Sequence, residues 1–428
     1  MNHEPASVRL LFAMRIVRMF AYGILGVMLV LYLAATGLGE ARIGLLLTFT
    51  FLGDAVISLW LSTSADRWGR RRVLAAGAAL MALGGVVMAV TGDFTLLLLA
   101  ATIGVISPTG GEVGPFLAVE QACLAQLIDD RERTRYFAWY NVAGYGATAV
   151  GALFSGVVAE SLQHQGWTAL ASYRVLLGAY GLLGCVIGIL SLRLGAGVEV
   201  KASQTPGGTP GKFLGLGESR ATVFKLSALF SIDSFGGGFI VQSFLAYWFQ
   251  QRFGLAETAL GGIFFGANIL SGLSALAAVP LARRIGLVNT MVWTHLPSNI
   301  LLIGVPLMPS LGWAVTLLLL RHSISQMDVP TRQSYVNAVV PADERSAANG
   351  VTGTARQLGT SLAPLCAGPL MGVAALAGVP FFLAGGLKII YDLALWRSFR
   401  ALKPPEEAAA RGPSGRAGER LGKQPNSR

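Results

Sequence analysis

The chain has 428 residues, of which 53% are hydrophobic, 13% are charged and 54 are Gly. So little charge excludes a soluble fold of this size, where about a quarter of residues are charged, and so much apolar content excludes long intrinsic disorder. Three Cys exclude a disulfide framework, while the formal net charge of +11 leaves a nucleic-acid partner to be weighed.

Crossing a bilayer as a helix takes about 20 mostly apolar residues. Twelve stretches qualify: 10–35, 43–62, 73–91, 94–127, 136–159, 170–192, 223–249, 258–280, 287–308, 312–340, 348–374 and 379–396. The first is too long for a signal peptide and carries Arg15 and Arg18, so it reads as a retained span. With the N-terminus placed inside, the inner connections and tail hold 24 Lys and Arg, against only Arg42 and Arg252 outside. The positive-inside rule then puts both termini in the cytoplasm of a multi-pass protein of the cell (inner) membrane. Most of the positive charge is thereby topology, and no nucleic-acid partner is expected.

The two halves repeat. A shift of 217 sets Gly37-Leu38-x-Glu40-x-x-x-Gly44 on Gly254-Leu255-x-Glu257-x-x-x-Gly261, and Arg67-Trp68-Gly69 on Arg284-Ile285-Gly286. A shift of 212 sets Gln121 on Gln333, Glu132-Arg133 on Glu344-Arg345 and Gly156 on Gly368. The expected organisation is a six-helix bundle over 1–195, a cytoplasmic linker over 196–222, a second six-helix bundle over 223–400 and a disordered basic tail over 401–428. The Gly- and Pro-bearing run 204–211 suits a flexible linker.

Between spans 2 and 3 the chain reads Ser62-Thr63-Ser64-Ala65-Asp66-Arg67-Trp68-Gly69-Arg70-Arg71-Arg72. On this loop, the span count and the duplication, the sequence resembles the major facilitator superfamily, whose signature is G-x-x-x-D-R-x-G-R-[RK]. Ser62 stands where the family prefers Gly, and the second-half copy lacks the Asp. The resemblance implies an all-α integral membrane fold of twelve transmembrane helices in two pseudo-repeats. It implies a gating loop of Asp66, Arg67, Gly69, Arg70 and Arg71, with Asp66 docking on the start of helix 11 when the cytoplasmic side is closed. Topogenic charge alone is the other reading of that loop.

Ionisable groups in hydrocarbon are expensive and mark function by default. Here they fall chiefly on spans 1, 4, 7 and 10, which the resemblance implies line a central cavity. Candidates for proton and substrate contacts are Glu112, Glu120, Asp233, Asp328, Arg18, Arg321, Arg332 and Tyr22. Spans 4 and 10 each place an acid shortly before a proline, Glu112 before Pro115 and Asp328 before Pro330, so both helices should kink there. Fixed pairing is the competing reading: Glu112 or Glu120 with Arg15 or Arg18, Asp328 with Arg332, and Lys388 with Asp392 one turn on.

The resemblance, of the bacterial drug/proton-antiporter type, implies a secondary transporter working by alternating access. Proton-coupled efflux of a drug-like or toxic small molecule is the first reading, with the substrate, protons and the lipid bilayer as partners and the protein a monomer. Span 5 lacks the Gly-Pro pair of many antiporters, and span 4 lacks their Arg. Proton-coupled uptake of a metabolite, or efflux of an anion or metalloid, therefore stays open. A receptor or an enzyme is least favoured, because no nucleophile, metal-ligand or cofactor pattern is present.

Overall fold

In the computed structural model, residues 4–199, 216–341 and 344–402 are described. The expected linker is therefore described only at its two ends, and the expected disordered tail lies outside the described residues from 403 on.

No water in a bilayer core can satisfy a backbone N–H or C=O, so an apolar segment there becomes helix. Fifteen α-helices form among the described residues: α1 (Glu4–Ala35), α2 (Glu40–Trp68), α3 (Arg70–Val90), α4 (Phe94–Ile103), α5 (Phe116–Leu127), α6 (Asp130–His164), α7 (Ala169–Leu192), α8 (Arg220–Gly238), α9 (Gln242–Phe253), α10 (Glu257–Ile285), α11 (Leu287–Gly304), α12 (Leu311–Ser325), α13 (Asp328–Val339), α14 (Arg345–Met371) and α15 (Val379–Phe399). Three spans are broken pairs: span 4 is α4 with α5, span 7 is α8 with α9, and span 10 is α12 with α13. The spans therefore number twelve. Eight of them are long and apolar enough to cross a membrane unaided, and the others are spans 4, 9, 10 and 11.

The duplication is visible in the backbone. Gly37 and Gly254 both take positive φ (86° and 63°), as do Gly69 and Gly286 (96° and 90°), each pair separated by the same 217 residues. Left-handed φ is open to Gly at little cost, so these four positions set the turn before α2, the turn before α10 and the α2–α3 and α10–α11 corners.

The halves meet where α6 packs on α10 and α2 packs on α14. Small residues make the approach possible. A Cβ on Gly156 would sit 2.2 Å from the Glu257 carbonyl oxygen, and one on Gly368 would sit 2.3 Å from that of Glu40. Likewise a Cβ on Gly44 would meet the Pro364 carbonyl at 2.3 Å, and one on Gly261 the Ala152 carbonyl at 2.8 Å. All four contacts lie at the membrane face opposite the chain termini, here called the far face. Side chains reinforce the seal reciprocally. Tyr247 of the second half donates to Glu40 of the first (2.7 Å), and Tyr173 and Gln163 of the first half donate to Glu257 of the second (2.6 and 3.0 Å). The far face is closed.

Candidate functional site

Span 4 departs furthest from a plain helix. Instead of a kink at Pro115 it breaks for twelve residues, from Gly104 to Pro115, and restarts with Pro115 as the residue before α5. Gly110 and Gly114 take φ of 68° and 76°, and the β-branched Val105 is held at 50°. Irregular backbone at membrane depth persists only where protein satisfies it. Tyr180 donates to the Val105 carbonyl (2.6 Å), Tyr22 to that of Val113 (3.2 Å), and the Ser243 N–H to that of Pro108 (3.1 Å). The Gly114 N–H donates to the Asp54 carboxylate at 2.6 Å. Tyr22 is thus fully buried as a brace for the break. Span 10 breaks only at 326–327, with the Gln326 N–H donating to Ser274 Oγ (3.2 Å) and Pro330 in the first turn of α13.

The break presents Glu112 to a buried charge cluster in the first half. Arg18 grips Glu120 with two hydrogen bonds of 2.6 and 2.7 Å, and reaches Glu112 at 3.3 and 3.4 Å. Arg15 forms an ion pair with Glu112 and stacks its guanidinium 4.6 Å from the centre of the Tyr140 ring, while the Tyr140 hydroxyl bonds Glu120. Arg18 and Glu120 are completely buried, whereas the Glu112 side chain is 17% exposed. Two cations therefore face two acids, and only Glu112 touches open space.

The second half carries a larger cluster. Arg332 bridges Asp328 (2.9 Å) and Asp233 (3.4 Å), and Lys388 donates to Asp233 at 2.7 Å. His295 Nδ1 lies 2.9 Å from Asp392, which also accepts from Asn299 at 2.9 Å. The Lys388–Asp392 pair suggested by their spacing does not form, because the two side chains reach different neighbours across span 12. Arg321, 8% exposed, and the half-buried Arg356 have no acid within ion-pair distance among the described residues, and the Nε of each lacks a partner.

A cavity of about 580 Å³ runs between spans 2, 4 and 11 from mid-membrane toward the face of the termini. Glu112, Asp54, Ser58 and Gln121 line it from the first half, with Asn349 and Arg356 from the second. Asp54 and Arg356 were not among the sequence candidates. Asp54 is a single acid in a span that otherwise reads as apolar, and that lone acid was the available signal. Among the described residues no group of His, Cys, Asp and Glu is placed to hold a metal.

At the α2–α3 corner, the Asp66 and Ser346 side chains lie outside the described residues. The neighbouring groups are engaged within their own half. Glu199, just past span 6, accepts the first backbone N–H groups of α3, from Arg70 (2.7 Å) and Arg71 (3.2 Å), where the helix end is partly positive. Arg70 donates to Gln126 (2.8 Å) and to the Val198 carbonyl (3.2 Å), and Arg71 to the Leu192 carbonyl. Arg67 is exposed. The first residues of the expected linker are thus docked on the loop, because an acid at 199 finds a helix N-terminus there.

Twelve spans, paired halves and a cavity sealed at one face are joined by a direct match: a family model of the Major Facilitator Superfamily covers residues 11–364. The chain belongs to the Major Facilitator Superfamily. It is a multi-pass membrane protein and a secondary transporter of that superfamily's type, not an enzyme. It is 28% identical, over 91% of its own length and 93% of the other's, to the uncharacterized membrane protein YJR124C of Saccharomyces cerevisiae. Solved structures share the fold at low identity. A bacterial homolog to the human lysosomal transporter Spinster, inward-facing and occupied, superposes with a TM-score of 0.72 at 13% identity, covering 94% of this chain and 97% of that one. The nucleoside transporter NupG gives 0.70 at 16% (94% and 100% covered), and a D-xylose-proton symporter 0.70 at 13% (92% and 98%).

Proposed function

We propose that this superfamily member is a proton-coupled transporter of a small molecule, with both termini in the cytoplasm of the cell membrane and Glu112 as the acid that takes the proton. The observation that carries this reading is the reach of the cavity: of the four carboxylates first singled out in the clusters, Glu112 alone lines it. A site that accepts a proton in one state and returns it in another has to meet water, and Glu120, Asp233 and Asp328 are sealed by their ion pairs. With the termini inside, the closed far face makes this state inward-open, ready to load from the cytoplasm. The loop around Asp66 and the antiporter resemblance favour efflux. The second reading, proton-coupled uptake, is favoured by Arg321 and Arg356, since an anion and a proton travel together more readily than they exchange.

Inverted membrane vesicles separate the two. Accumulation of solute when the lumen is acidified, abolished by an uncoupler, is the expected result for antiport, and accumulation driven by the opposite gradient identifies symport. No response to either gradient removes proton coupling. The same assay tests the gating loop: Asp66→Asn is expected to cut transport while membrane insertion stays normal, and unchanged transport leaves the loop with topology as its only role.

A further inference from the structure

We infer that the transported solute is an anion bearing a carboxylate or phosphoryl group, held by Arg356 at the cavity wall, with Arg321 of span 10 as the second unmatched guanidinium available to it; the inference deepens the transport reading and rests on it. Among the described buried groups, Arg15 and Arg18 face Glu112 and Glu120, and Arg332 and Lys388 face Asp233 and Asp328. Asp392 is held by His295 and Asn299. Among the charged groups of these two clusters, of span 10 and of the cavity wall, three remain: Asp54, Arg321 and Arg356.

They are not equivalent. Asp54 already accepts from the Gly114 N–H and from Ser58 (3.1 Å), and a carboxyl can become neutral by taking up a proton. A guanidinium cannot shed one. Both arginines lie in the field of Asp233 and Asp328, whose oxygens are engaged by Arg332 and Lys388. Arg356 also feels Arg332 and Tyr391, and His322, next to Arg321 in the chain, turns to Ser271 at 2.9 Å. None adds a free negative charge. Two unmatched guanidiniums at membrane depth are expensive, and their flat forks of donors match a carboxylate or phosphate oxygen pair. The cavity volume of about 580 Å³ suits a metabolite-sized solute.

The test is ligand-induced thermal stabilisation of the purified full chain in neutral detergent. The probes are succinate, benzoate and inorganic phosphate. Glycerol 3-phosphate stands in for a lipid headgroup, tetraethylammonium is the cationic control and glucose the neutral one. Stabilisation by at least one of the first three is expected, weakened roughly tenfold or more in apparent affinity by Arg356→Gln and by Arg321→Gln. Arg356→Lys should retain part of it. As a check on folding, Arg321→Gln without ligand should melt at or above the parent temperature, because it removes an unmatched charge; a lower melting point assigns Arg321 to structure and overturns the proposal. Stabilisation by none of the anions, or equal stabilisation of both variants and parent, overturns it too. Response to glycerol 3-phosphate alone assigns the arginines to lipid and overturns a soluble solute. Flux of a neutral or cationic solute in vesicles leaves the transport reading standing while removing the anion, and anion binding without flux does the reverse.

Discussion

Glu112→Gln should leave exchange of substrate between two pools running while abolishing its acceleration by a pH gradient. Gln keeps the shape of Glu and removes its charge, so it imitates the protonated acid permanently. After the change Arg18 keeps its two bonds to Glu120, Arg15 trades its ion pair for a neutral amide while keeping its stack on Tyr140, and the bonds from Tyr22, Tyr180 and Asp54 that hold the helix-4 break are untouched. The carrier can then still alternate with solute aboard, but it cannot pick up and release a proton in each cycle. Glu120→Gln is the informative contrast. That carboxylate is completely buried with both oxygens committed to Arg18. Its removal leaves the fully buried Arg18 with only the longer contacts to Glu112, and breaking a buried pair typically costs about 3–5 kcal/mol. Glu120→Gln should therefore reduce folded protein in the membrane, read by fluorescence-detected size exclusion, and lose exchange and driven transport together. Should Glu112→Gln also lose both, Glu112 is a structural partner of Arg15 and the coupling acid lies elsewhere.

Much of the architecture was legible because hydrocarbon is a severe solvent. It forces apolar runs of about 20 residues into helix, it makes each buried charge stand out, and the duplicated Gly37 and Gly69 corners kept their register at Gly254 and Gly286. Partner choice was far less legible. Helical spacing paired Lys388 with Asp392, but Asp392 lies against His295 of span 9 and Lys388 against Asp233 of span 7, contacts that sequence separation hides. Arg18 and Arg332 looked as available to a solute as Arg321, and only the packing shows which cations are already matched. The break in span 4 was underestimated because Pro115 was weighed as a local kink. Gly104, Pro108, Gly110, Gly111 and Gly114 precede it, and together with Tyr22, Tyr180 and Asp54 they sustain a full interruption. Glu199 was hidden by composition: it opens a polar stretch that reads as linker until a helix N-terminus is found beside it.

The second large effect is expected at the far-face seal. Gly156→Ala and Gly368→Ala each place a methyl about 2.2 to 2.3 Å from a backbone oxygen of the opposite half. Neither neighbour is the end of a flexible side chain, so the halves have to separate there by about an ångström. Overpacking of this kind costs about 1–3 kcal/mol, here charged only to the conformer in which the far face is closed. A differential of that size moves a two-state equilibrium roughly 5- to 150-fold, toward the state open at the far face. In a background with Cys123, Cys185 and Cys366 replaced, a single Cys at Gln163 reports the shift through its labelling rate with a membrane-impermeant maleimide. Labelling should speed up in both variants, and net transport should fall, because a carrier held open at one face cannot complete its cycle. Gly146 is the control within α6: a Cβ there meets nothing within 4 Å, so Gly146→Ala should label and transport like the parent. Because Gly156 and Gly368 occupy corresponding places in the two repeats, equal effects from both are required. A change in one alone would mean that the halves do not seal as a symmetric pair, and unchanged labelling in both would mean that the glycines do not set the closure.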